Sequence, residues 1–101
     1  MLYEVVAQAK LDGISGDEFV RRLPQGLAYM KELGRKGIVR HSWVRVGGYG
    51  ATNIFDVDSH EELLEHLNGN PLVPHIRYEV IPLSALSGFN GIEAAAVTSA
   101  D

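Results

Sequence analysis

Residues suited to proton chemistry are gathered in one short run of this chain, Arg40, His41, Trp43, Arg45 and Tyr49. Together they are expected to form a pocket with an aromatic wall from Trp43, a cation for an anionic group from Arg40 or Arg45, and a phenol donor from Tyr49. A neutral imidazole titrates near 6.5, so His41 is suited to carrying a proton at neutral pH. Of the four histidines, His75 is the second candidate proton carrier, directly after the connection held by Pro71 and Pro74. His60 and His66 are six apart on an expected helix, a spacing that points them in different directions, and both are read as solvated.

Other chemistries find no support. The chain has no phosphate loop, no G-x-S-x-G elbow, no H-E-x-x-H and no paired-carboxylate motif. Without cysteine there are no disulfides, thiolate nucleophiles or Cys-based metal sites, and a cytosolic protein is expected. A net charge of −4 and a pI near 5.5 argue against a nucleic-acid partner. Arg35, Lys36 and Arg40 are read as a charge set at a helix C-terminus. No apolar run approaches the roughly 20 residues that cross a bilayer, and no signal peptide is expected.

The elements that must position these residues are well punctuated. At 101 residues and 46% hydrophobic content there is material for one core. Leu2 to Lys10 alternates as a half-buried strand. Ser15 and Glu18 form a capping box opening a helix with apolar positions Phe19, Val20, Leu23, Leu27, Met30 and Leu33. Pro24 and Gly26 predict a kink or restart within it, because proline removes an N–H and glycine weakens the turn. Gly34 and Gly37 close it.

Ile38 to Val46 reads as a second strand with Val39, His41, Trp43 and Arg45 on one face. The glycines at 47, 48 and 50 turn the chain into a third strand, Ala51 to Val57, antiparallel to the second. Ser59 and Glu62 cap a second helix with a stripe of Leu63, Leu64 and Leu67. Pro71 and Pro74 hold a connection that exposes Leu72, Val73 and His75, and Arg77 to Ile81 is a fourth strand. The order is βαββαβ, an α+β ferredoxin-like fold with a four-stranded antiparallel sheet and two helices on one face. Residues 1–83 form this domain, and 84–101 a C-terminal tail, loose or packed on another subunit. The uncovered sheet face and strand edges predict a homo-oligomer.

The run from Arg40 to Tyr49, RHSWVRVGGY, followed by Ile54-Phe55-Asp56-Val57, resembles the muconolactone Δ-isomerase family. Met1-Leu2-Tyr3, Gly37, Ser59 to Leu63 and Pro71-Leu72-Val73-Pro74 fall at similar spacings, so the resemblance covers about residues 1–83. It implies a dimeric α+β barrel type of fold, homo-oligomers from a dimer up to a ring-like decamer, and a small lactone or enol substrate, with no metal or organic cofactor. The implied reaction moves a proton between the carbon beside a carbonyl and the vinylogous carbon, in aromatic-compound catabolism through the β-ketoadipate pathway. A derived cyclase or tautomerase is the close variant, and a non-catalytic small-molecule-binding or assembly protein the alternative.

Matching family positions are Arg40, His41, Trp43, Tyr49, Phe55 and Asp56. The acidic residue and lysine of the family's first helix align with Gly26 and Leu27, and the histidine before the turn tyrosine aligns with Gly48. The expected catalytic residues are therefore His41, Tyr49 and His75. Arg40, Trp43, Arg45, Leu27 and Phe55 are expected to bind substrate.

Overall fold

The computed structural model describes residues 1–84. The expected tail falls, from residue 85 onward, outside the described residues. Strands β1 (Leu2–Ala9), β2 (Val39–Val44), β3 (Gly50–Asp56) and β4 (Ile76–Leu83) form one antiparallel sheet in the order β2-β3-β1-β4. Helices α1 (Gly16–Arg35) and α2 (His60–Asn68) complete a βαββαβ ferredoxin-like fold.

Both helices start where a serine caps them. The Ser15 and Ser59 hydroxyls accept hydrogen bonds from Glu18 N and Glu62 N, each at 3.1 Å. Glu62 reaches back beyond the cap to accept from Asp58 N at 2.7 Å. At the far end of α1, Gly37 has φ +79°, and Ile38 N donates to Leu33 O at 2.9 Å, a Schellman closure that only glycine enters without strain.

No restart interrupts α1 at Pro24; the helix is continuous. Pro24 and Val20 both lie on its exposed side, so the Val20 carbonyl that loses its partner faces water rather than the core. Val20, expected in the buried stripe, and Leu64, its counterpart on α2, are exposed. The core instead unites Tyr3 and Val5 of β1 with Leu33, Val39, Phe55, Val57, Leu63 and Leu67.

Strand β2 departs from regular alternation. Val39 pairs with Phe55 and His41 with Ile54, so Arg40 is an extra residue, a β-bulge. From there Ser42 and Val44 share the helix-side face with Val39, while His41 and Trp43 alternate away from it. The expected common face of Val39, His41, Trp43 and Arg45 is thereby split. Leu72 is another correction: it is buried at 4% exposure, because its side chain fills the space that Gly26 leaves open.

Candidate active site

Between α1, the end of α2 and the helix side of the sheet lies a cavity of about 240 Å³. Phe19, Leu23, Leu27 and Met30 of α1 form its roof; Ala7, Ala51 and Phe55 form its floor. Apolar spacing at three and four along α1 puts those side chains on one face, and the sheet's two-residue period puts the floor opposite. Leu72 and Ile76 close one side, and Tyr49 with the β2–β3 turn stands on another. The Tyr49 ring lies tilted against Phe19 with centroids 6.0 Å apart.

A few polar groups interrupt this apolar wall. Asn53 and Asn70 are buried and line the cavity. The Ser42 hydroxyl donates to Asn53 Oδ1 at 2.5 Å, and Leu72 N donates to Asn70 Oδ1 at 2.9 Å. With each carbonyl oxygen already accepting one hydrogen bond, the amide N–H groups are the donors each asparagine can offer a ligand. His66 and Tyr78 complete the polar lining. Such a wall suits a small, largely apolar molecule carrying a carbonyl.

Burial, helped by neighbouring Tyr29, pushes the Tyr78 phenol up to about 12. The folded chain thus keeps a proton that an unfolded tyrosine loses near pH 10. Because the unfolded state binds fewer protons in that window, stability falls as pH rises from about 10 to 12. A loss of about 1–2 kcal/mol is expected for this partly solvated group, and Tyr78→Phe should reduce that slope in urea melts across the interval, leaving the smaller part due to Tyr29, which burial also raises. Equal slopes in both proteins would exclude Tyr78 as the source.

Among the residues singled out by sequence, Tyr49, Leu27 and Phe55 are brought together at the cavity. Leu27 stays 55% exposed, at its rim, whereas Phe55 is 1% exposed. His41 and Trp43 stack on each other, with centroids 5.5 Å apart and planes within 10°, and neither lines it. Arg40 pairs with Asp56 at 2.5 Å. Arg40 and His41 border a second, more open groove at the β2 edge, shared with Leu27, Met30 and Lys31. Arg45 is exposed, and His75 sits in a 3-10 turn, Val73–His75, outside the cavity lining.

His66 is the residue that sequence reading sent to solvent and the fold sends to the cavity. It follows Leu63 by three, on the buried side of α2, which was the available signal. His60 differs: its Nδ1 bonds the Tyr3 hydroxyl. Among the described residues no group of three His, Cys, Asp or Glu side chains could hold a metal ion, and no helix is long and apolar enough to cross a membrane.

The family model for muconolactone delta-isomerase matches residues 1–87. The chain belongs to this family. It is 47% identical over 57 residues to the muconolactone Delta-isomerase of Acinetobacter baylyi, covering 56% of this chain and 59% of that protein. Against the enzyme of the same name from Rhodococcus opacus it is 44% identical over 57 residues, 56% of this chain and 61% of the other. These matches span about three fifths of the length of the curated relatives.

A crystal structure of muconolactone isomerase superposes with a TM-score of 0.75 at 28% identity, covering 89% of this chain and 95% of that one. The 5-chloro-2-hydroxyhydroquinone dehydrochlorinase of Burkholderia phenoliruptrix shares the fold, with a TM-score of 0.65 at 14% identity over 89% of this chain and all of the other. Gly26 is buried against Leu72, and Leu27 lies at the cavity rim.

Proposed function

We propose that the chain is an intramolecular isomerase that transposes a carbon–carbon double bond in a small unsaturated lactone, with muconolactone the first substrate to try. The observation that carries this reading is the cavity, apolar on most sides and edged by Tyr49, Asn53, Asn70 and His66. Its volume of about 240 Å³ lies just below the roughly 300–1,000 Å³ of common ligand pockets, which suits a single ring with a short arm. The reaction is redox-neutral and begins and ends with the same atoms. It needs a base for a carbon-bound proton and donors for the dienolate oxygen. Asparagine amides and the Tyr49 hydroxyl supply such donors from mostly apolar walls.

Incubating the chain with muconolactone and following the ring protons by NMR tests this. Rapid conversion to the isomer with the shifted double bond is expected. Exchange of ring protons with solvent deuterium but no product would redirect the assignment to a derived tautomerase or cyclase. Ligand-induced shifts without exchange or product would favour the non-catalytic binding protein.

We further propose that the chain works as a cytoplasmic homo-oligomer. Its lack of cysteine suits a reducing compartment. Self-association is supported by edge strand β2, where Trp43 is 56% exposed, and by Leu2 and Leu83 on the helix-free sheet face. Light scattering is expected to give a mass of at least twice the 11.0 kDa chain. A monodisperse monomer would overturn this.

A further inference from the structure

Three side chains that line the cavity can titrate: Tyr49, Tyr78 and His66. Tyr78 holds its proton to about 12, beyond any working pH. Of these side-chain types only imidazole is suited to taking up and returning a proton near neutral pH. The other three histidines lie elsewhere: His41 is stacked on Trp43, His60 is bonded to Tyr3, and His75 is outside the lining.

His66 is also held as a proton carrier would need to be. Its Nε2 is enclosed, makes no hydrogen bond among the described residues and is the nitrogen that faces Glu62, so the nitrogen left to meet a substrate proton is Nδ1. The nearest carboxylate is Glu62 Oε1, at 3.5 Å and one helical turn earlier. That separation lies beyond a good hydrogen bond but close enough for strong attraction once the ring is charged. Glu62 is itself anchored through Asp58 N at 2.7 Å. The backbone carries a second anchor, the Tyr29 hydroxyl donating to His66 O at 2.7 Å. A fixed carboxylate beside a fixed imidazole at a cavity wall is the arrangement of a base with its orienting group.

We infer that His66 is the catalytic residue that moves the proton in this cavity and that Glu62 positions it. The inference rests on the lactone reading above and names the group that performs it. The neutral imidazole takes a proton from the ring carbon at one end of the unsaturated system. The electron pair of the broken C–H bond enters the ring to give a dienolate, whose charge rests on the lactone oxygen. The imidazolium, steadied by Glu62, returns the proton to the carbon at the other end. One C–H bond is broken and one formed, and no co-reactant is consumed.

The test uses the full chain, His66→Gln and Glu62→Gln with two probes in D₂O: muconolactone, and an unsaturated five-membered lactone lacking the carboxymethyl arm. Wild-type protein is expected to catalyse deuterium exchange into both, and His66→Gln to lower that rate by about 10²- to 10⁴-fold. Glu62→Gln should lower kcat while leaving KM unchanged, which a merely structural residue would not do. Exchange by His66→Gln at the wild-type rate overturns the inference, as does a wild type that exchanges neither probe. Exchange of the simple lactone alone, lost in His66→Gln, keeps His66 as the carrier and removes only muconolactone as substrate. Should His66→Gln not fold, ¹⁵N NMR of the wild type decides. The simple lactone must shift the His66 imidazole resonances, and unmoved resonances overturn the inference.

Discussion

Phe55→Ala is expected to lower the stability of this chain by about 3–5 kcal/mol, a large part of the roughly 5–15 kcal/mol that holds a typical domain together. Phe55 is 1% exposed, sits between Tyr3 and Val39 in adjacent strands, and forms part of the cavity floor. Truncation removes the transfer free energy of an aromatic ring and opens a void. Because that void joins an existing cavity, the surrounding walls have little way to collapse into it. Urea melts followed by far-UV circular dichroism should show the midpoint moving steeply down, with Phe55→Leu intermediate. A midpoint within about 1 kcal/mol of wild type would mean that the floor does not organise the core.

Gly26→Glu on α1 should be nearly as disruptive, at about 3 kcal/mol or more. A Cβ on Gly26 would stand 2.8 Å from Leu72 Cγ and 3.2 Å from Asn70 Oδ1. Even alanine there must push Leu72 aside, at a cost of about 1–3 kcal/mol set against the small helix-propensity gain. Glutamate adds a carboxylate beside a largely apolar wall with no lysine or arginine among the lining residues. Soluble yield and urea midpoint should fall in the order glycine, alanine, glutamate. Wild-type stability in the glutamate variant would show that Leu72 yields freely and that Gly26 is not a packing glycine.

These two positions also mark what the sequence discloses. Capping signals are local, and Ser15, Ser59 and Gly37 act as their spacing predicts. Strand order follows from period-two patterning and turn glycines, so Tyr49 and Phe55 reach the cavity from elements that could be drawn in advance. Long-range packing is not local. Leu72 looked solvent-exposed between two prolines and is buried because a glycine 46 positions earlier admits it. His66 was set aside by its spacing from His60, although its spacing from Leu63 already placed it on the buried side of α2.

Arg40, the one extra residue in β2, has an evolutionary consequence. It is a parity switch: with the bulge, Ser42 and Val44 face the cavity; were the same residues paired as a regular strand, Val39 kept in place, His41 and Trp43 would turn inward instead. Whether this edge bulges or runs regularly therefore decides between a hydroxyl-and-valine lining and an imidazole-and-indole one. Relatives of this chain would then be able to present different chemistry from nearly the same residues.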